Sequence, residues 1–466
     1  MKALTNLLSG RLLASVLLIG NFLLLPVTAD EAYYFSWGNE LSLGYFDHPP
    51  LLGWIMNVLQ PNALRIPFLL LSLLLVWTAK NRTITLTVLI PGAHLFLGGA
   101  LPDTLMVFFG FLVIRAFKYW VQYASVVNAL VLGTTIAALG YSKFHGILLI
   151  LALAAGYWKY RKEWTLYLAI GSAGLLLLPY LFWQIDHHWV TFQYHFTGRF
   201  HETSIRGLFE FILLGTVLWW PLFLYFRELP LWSKSLLSIS LMVFGWGAFK
   251  GSAELHWLLV WLWVVPELPI RTSRRIQGVS ILIALLHMII WVPSVQKSLG
   301  LDIHFRPEIA SLTNQENVAF LDSYQDAALY EFYTGKGSYN LAHPGIRLSQ
   351  YNLKEYPFEG QPITVYNRWG MGSEVSGTPW HSVKTIMHDL SKLEYSWNGY
   401  DLVFDDALVP VGYQWILYNY VDGQQSERRV ICPGRESPII SYEAGKESFL
   451  TLEKKWLPTG LWIPLP

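Results

Sequence analysis

Residues 30–54 read DEAYYFSWGNELSLGYFDHPPLLGW and follow directly on an apolar run at 7–27. Tyr34, Trp37 and Leu41 recur at helical spacing with Asn39 and Glu40 on another face, which predicts an amphipathic helix lying along a membrane surface. Asp30-Glu31 and Asp47-His48 stand at its two ends, and Pro49-Pro50 fix the backbone and stop it. A carboxylate held at the membrane boundary serves as a general base or a metal ligand. The plain alternative is an ordinary charged loop. Two acidic sites bracketing an aromatic helix before a Pro-Pro favour chemistry over that alternative.

Outward from this stretch the chain reads as a membrane protein. Of 466 residues, 53% are hydrophobic and only 14% charged, against roughly a quarter charged in soluble domains; the mean hydropathy is +0.36. The 22 Trp and 25 Tyr suit rings that collect where hydrocarbon meets headgroups. A net charge of +1, with no basic stripe interleaved with aromatics, argues against nucleic acid as a partner. Cys432 is the only cysteine, which excludes an internal disulfide and a thiol metal cluster.

Eleven apolar stretches approach the length that crosses about 30 Å of hydrocarbon: 7–27, 64–79, 83–98, 104–117, 123–140, 146–158, 164–183, 207–226, 235–249, 255–270 and 276–293. The loops between them alternate in charge. Lys80 and Arg82, Lys118, Lys159 with Arg161 and Lys162, Arg227 and Lys234, and Arg271 with Arg274 and Arg275 mark the cytoplasmic set. The segment after residue 28, Leu101-Pro102-Asp103, Ser142-Lys143, 184–206 and 250–254 face outward. The first run also resembles a signal peptide, with Lys2 and Arg11 before or within a Leu-rich core and Val27-Thr28-Ala29 at its end. Either reading leaves Asp30 outside.

Past residue 293 the apolar runs give way to short alternating segments such as Ile363-Thr364-Val365-Tyr366 and Leu402-Val403-Phe404. The expected organisation is therefore a transmembrane domain at 1–293, with a first outer loop at 28–63, and a soluble extracytoplasmic α+β domain at 294–466. The fold class is a polytopic α-helical membrane protein in a cell membrane.

Asp30-Glu31 and Tyr45-Phe46-Asp47-His48-Pro49-Pro50-Leu51 resemble the first outer loop of the dolichyl-phosphate-mannose protein mannosyltransferase-like superfamily. The likeness is to its bacterial branch, which includes the lipid A aminoarabinose transferases. Pro102-Asp103 is similar to that family's second acidic loop and Ser142-Lys143-Phe144 to its Ser/Thr-Lys motif; Trp183 to Trp189 and Glu254-Leu255-His256-Trp257 are weaker echoes.

The resemblance implies a GT-C fold glycosyltransferase that moves a sugar from a polyprenyl-phosphate donor to a lipid, glycan or protein acceptor with inversion. On that pattern Asp30, with Glu31 beside it and Asp47 across the loop, would supply the catalytic acids. His48 and Lys143 would meet the donor phosphate, whose departure is eased by cations. Asp103 would position the acceptor or, with Asp47, bind a divalent metal. His48 replaces the lysine of the aminoarabinose branch, so its charge depends on its surroundings. For Lys143 the plain alternative is a lysine snorkelling from a span end.

His94, inside the third span, and Glu254 and His256 are accessory candidates, since ionisable groups at membrane depth mark function. His187, His188, His195 and His201 read as a wet interfacial loop. The rival function is a transporter or flippase of lipid-linked saccharides, which would carry midplane charges and matching halves; here the acids gather in the outer loops.

Overall fold

The computed structural model describes residues 2–79, 97–198, 203–251, 253–268, 274–299 and, from 306 onward, all but short stretches, the longest at 439–446. The chain divides into two compact units, Met1–Phe305 and Arg306–Pro466.

The first unit is helical. Helix α1 (Lys2–Leu24) and α2 (Ala29–Trp37) meet at a bend of 78°. Pro26 in the break has no N–H to continue the ladder, and Thr28 restarts it. The Thr28 side chain accepts from the Glu31 N–H while the Glu31 carboxylate accepts from the Thr28 N–H, a reciprocal cap that satisfies two orphaned donors.

Helix α2 is shorter than the spacing of Tyr34, Trp37 and Leu41 predicts. It ends at Trp37 because Gly38 lies against the backbone of α3 (Leu51–Asn57); a Cβ there would come within 2.6 Å of the Met56 carbonyl carbon. Leu41 consequently lies outside the helix, 64% exposed.

Then follow α4 (Ile66–Thr78), α5 (Pro102–Gln122), α6 (Val126–Ser142), α7 (Ile147–Gly156), α8 (Trp164–Asp186), α9 (Ile205–Leu218), α10 (Leu231–Phe249) and α11 (Arg274–Ile289). The span expected at 83–98, and His94 with it, lies outside the described residues.

Among the described residues, three helices are long and apolar enough to cross a membrane, and four if the bent pair α1 and α2 counts as one crossing. Large apolar side chains stand exposed along them, such as Leu70 on α4 and Leu175 on α8, at 60% and 68%. Such faces need lipid. The chain is a multi-pass membrane protein.

The stretch expected to span at 255–270 is not an α-helix. It forms 3₁₀ turns at Leu255–Trp263 and Val265–Glu267. A 3₁₀ turn rises about 2.0 Å per residue and its bonds are poorer, so such backbone persists at depth only where protein encloses it. Every residue from Trp257 to Trp263 is buried. Trp263 fits against Gly110 of α5, where a Cβ would come within 2.1 Å of the indole, and its Nε1 donates to the Val107 carbonyl at 3.0 Å.

The second unit is β-rich. Strands β1 (Val318–Leu321), β2 (Ser338–Leu341) and β3 (Pro362–Asn367) run parallel in the order β2-β1-β3. The parallel pair β1 and β2 needs a crossover, supplied by α12 (Tyr324–Thr334), which Ser323 caps and Gly335, at φ 68°, ends in the left-handed conformation glycine tolerates. Strands β4 (Ser373–Glu374) and β5 (His381–Ile386) extend the sheet antiparallel from β3.

Strands β6 (Tyr395–Asn398) and β7 (Asp401–Phe404) form a separate hairpin. A second sheet runs in the order β11-β10-β8-β9, from β8 (Gln414–Val421), β9 (Gln424–Pro433), β10 (Glu447–Lys454) and β11 (Leu457–Pro458), with β12 (Ile463–Pro464) beside β10. One core joins both sheets, through Ile363 and Val365 from the first and Trp415 and Leu450 from the second.

Candidate active site

Two helix starts carry the acids. Asp30 is the second residue of α2 and Asp103 the second of α5, where Pro102 occupies the first position and loses nothing by lacking an N–H. Asp30 is exposed. Asp103 is 4% exposed, and what brings its partner is the hairpin of α5 and α6. From Asp103 to the end of α5 is 19 residues (122 − 103), and from the start of α6 to Lys143 is 17 (143 − 126). The antiparallel arms therefore return to nearly the same level, within roughly 3 Å at 1.5 Å per residue.

Lys143 caps the end of α6, where the helix dipole favours a cation. Its Nζ donates to both oxygens of Asp103, each at 2.8 Å, with both side chains almost fully buried. Lys143 is thus no snorkelling lysine.

His256 stands beside this pair, its Nε2 4.0 Å from an Asp103 oxygen and its Nδ1 3.2 Å from Glu254. The ring lies within electrostatic reach of Asp103, Lys143, Glu254 and Asp30 together. Three segments from distant parts of the sequence thereby meet, at 103, 143 and 254–256, with Asp30 within electrostatic reach of His256.

Glu31 has a different environment. It is 1% exposed, and both its oxygens are engaged. Oε1 accepts from Arg65 Nε at 2.6 Å and from the Ala100 N–H at 3.0 Å; Oε2 accepts from Arg65 Nη2 and from the Thr28 N–H and hydroxyl. Arg65 also donates to the carbonyls of Leu25 at 2.6 Å and Pro26 at 2.7 Å. One guanidinium thus ties α1, the bend, α2 and the start of α4.

Asp47 and His48 are both buried in a third neighbourhood. The Asp47 carbonyl accepts from His195 Nε2 at 2.7 Å, and the Tyr45 carbonyl from the Thr191 hydroxyl at 2.9 Å. His48 lies among rings, 5.8 Å from Tyr34, 6.3 Å from Trp37 and 5.8 Å from His195. His195 in turn meets Phe144 edge-on at 5.7 Å, and Phe144 follows Lys143 in sequence. His195 thus leaves the wet loop in which the sequence places it. It is half-buried and links the Asp47-His48 loop to the Lys143 turn.

The donor set does not fit a divalent metal. Both Asp103 oxygens already hold a lysine ammonium, which occupies the ground a cation would take, and hard cations want six or more oxygen ligands. Among the described residues no group of three or more His, Cys, Asp and Glu is placed to share an ion.

Arg65 and His195 are the residues that the sequence motifs pass over. Arg65 carried a usable signal: it stands at the end of its span that the loop charges assign to the outside, against the rule that puts basic residues inside.

No protein-family model matches this chain. It is 26% identical to the lipid A galacturonosyltransferase RgtD of Rhizobium johnstonii over 34% of this chain and 38% of that protein, so the match spans well under half of that relative's length. Two crystal structures of ArnT from Cupriavidus metallidurans superpose at 12% identity. The apo state gives a TM-score of 0.53 over 77% of this chain and 92% of that one; the state bound to undecaprenyl phosphate gives 0.54 over 80% and 97%. This chain shares the fold of ArnT over most of its length, and about a third of it is similar in sequence to a lipid A galacturonosyltransferase.

Proposed function

We propose that this protein transfers a sugar from a polyprenyl-phosphate donor to a membrane glycolipid at the extracytoplasmic face, with inversion at the anomeric carbon. The observation that carries the reading is the convergence of Asp30, the buried Asp103–Lys143 pair, His256 and Glu254 on a GT-C fold. The carrier class follows the undecaprenyl phosphate bound to ArnT, and the acceptor class follows the lipid A in the name of RgtD. The apolar stretches serve as the crossings, except that 255–267 forms 3₁₀ turns walled by protein, and the basic loops lie inside.

In this mechanism the acceptor hydroxyl loses its proton to the Asp30 carboxylate as its oxygen attacks the anomeric carbon. The bond from that carbon to the carrier phosphate breaks, and the electron pair leaves on the phosphate. Lys143 exchanges Asp103 for the phosphate as charge builds there, and Asp103, freed, orients the acceptor with His256. Glu31 is assigned to the scaffold, because its oxygens have no acceptor capacity left for a substrate proton. Asp47 and His48 shape the loop that borders the site.

The test uses purified full-length protein with a polyprenyl-phosphate sugar and a lipid A-type acceptor. Asp30→Asn should lower transfer by about 10²–10⁴-fold, the range of a lost general base, with binding of the carrier lipid retained. Full turnover by that variant would remove Asp30 from the chemistry. Movement of intact lipid-linked sugar across vesicles, without transfer and insensitive to Asp30→Asn, would favour a flippase.

A further inference from the structure

The helices that bring Asp103 and Lys143 together enclose a second space far from them. A cavity of about 630 Å³ lies between α5, α6, α7, α8 and the 3₁₀ turn Trp158–Lys162. Its α5 wall is Val113, Phe117 and Trp120. Phe117 is 14 residues beyond Asp103 (117 − 103) on a continuous helix, so the two places are separated by roughly 21 Å of rise. The volume is within the range of about 300–1,000 Å³ that holds a small ligand.

Its lining is two-faced. The depth is apolar, with Phe117, Leu132 and Leu153, whereas the rim carries Arg161 and Lys162. The Arg161 guanidinium lies 5.3 Å from the centre of the Trp158 ring, and the Tyr167 hydroxyl donates to the Arg161 carbonyl at 2.7 Å, which fixes the rim backbone. Both basic side chains are exposed, and among the described residues neither forms an ion pair; with Lys159 they outnumber the one nearby carboxylate, Glu163. The rim belongs to the basic loops that mark the cytoplasmic side.

A cavity with hydrocarbon walls and two unneutralised cations at headgroup level matches one occupant in shape and charge. We propose that it binds an anionic phospholipid of the cytoplasmic leaflet, with the phosphate between Arg161 and Lys162 and an acyl chain among Phe117, Leu132 and Leu153. The site is separate from the one at which the donor reacts. By filling the space between α5 and α6, the lipid would hold the hairpin that sets Asp103 opposite Lys143.

Native mass spectrometry of the full chain, released from detergent with phosphatidylglycerol or phosphatidylcholine, tests this directly. The expected result is retention of one phosphatidylglycerol in preference to phosphatidylcholine. R161A/K162A should cut that adduct by about tenfold or more, as expected for two basic side chains at a lipid phosphate. Ala154→Phe, which narrows the cavity from an exposed position on α7, should cut retention of both lipids.

Equal retention of the two lipids, or an adduct unchanged by both variants, would overturn the proposal. So would displacement of phosphatidylglycerol by stoichiometric undecaprenyl phosphate, which would make the cavity a second seat for the carrier. Circular dichroism of each variant in the same detergent separates loss of the lipid from loss of the fold.

Discussion

Glu31–Arg65 and Asp103–Lys143 are each a buried carboxylate with a buried cation in the helical unit, yet they are built to opposite ends. Arg65 spends its guanidinium on Glu31 and on main-chain carbonyls, and Glu31 accepts from two backbone N–H groups besides. Nothing in that cluster is left to exchange. Lys143, among the described residues, meets only the two oxygens of Asp103, with His256 and Glu254 alongside. An ammonium on a flexible stem trades one oxygen ligand for another, whereas a planar fork held at several points does not. Saturation, more than burial or charge, separates the pair we assign to the scaffold from the pair we propose to react.

The sharpest way to break the comparison is to remove the cation from the saturated pair. Arg65→Met strands the Glu31 carboxylate and the Leu25 and Pro26 carbonyls in the interior, where a broken buried pair costs about 3–5 kcal/mol. Detergent-solubilised protein should show a large fall in melting temperature. Adding Glu31→Gln should restore part of it by removing the stranded charge, and leave the rest, since the Leu25 and Pro26 carbonyls remain unpaired. Near-complete rescue would mean that the ion pair alone accounts for the stability.

Lys143→Met is the matching change in the other pair. Loss of a phosphate-stabilising cation should reduce kcat by about 10²–10³-fold. Here the double variant Lys143→Met/Asp103→Leu should regain stability relative to Lys143→Met, because no unpaired charge is left buried, while activity stays at or below the level of Lys143→Met. Steady-state kinetics beside thermal unfolding reads both. If activity returned with stability, the pair would be scaffold like the first.

The smallest effect belongs to the second unit and to pH. Burial pushes the Glu331 carboxyl up to about 7, against the Ser338 N–H and Lys354, which pull it down. The folded state therefore holds a proton that the unfolded chain releases near its ordinary carboxyl value. Between that value and about 7 the native state binds more protons, so local stability falls as pH rises through the window and is fully present below it. Hydrogen exchange around α12 and β2, corrected for intrinsic rates, should show this slope in the full chain, and Glu331→Gln should flatten it. An unchanged slope in the variant would assign it to another group.

The membrane class and the strands of the second unit, read from the sequence as an α+β domain, were legible because each rests on local pattern. Hydropathy marks the apolar runs, and dipeptides such as Asp30-Glu31 and Pro102-Asp103 are contiguous. The 255–270 stretch misled for the same reason. Composition counts its Trp and Leu as lipid-facing, although those side chains are buried in protein and the backbone is 3₁₀. The helix expected to run beyond Trp37 failed because the stop signal at Gly38 is a contact with α3, 18 residues later (56 − 38).

The sequence by itself determined that this chain enters a membrane repeatedly and bears Asp30, Asp103 and Lys143 near the ends of apolar runs, because solvation of side chains is a local property. Which carboxylate is exposed and which is buried under partners was decided only by tertiary structure. Asp30 and Glu31 are neighbours with the same chemistry; an arginine 34 residues away and a backbone N–H 69 residues away engage one of them and leave the other exposed.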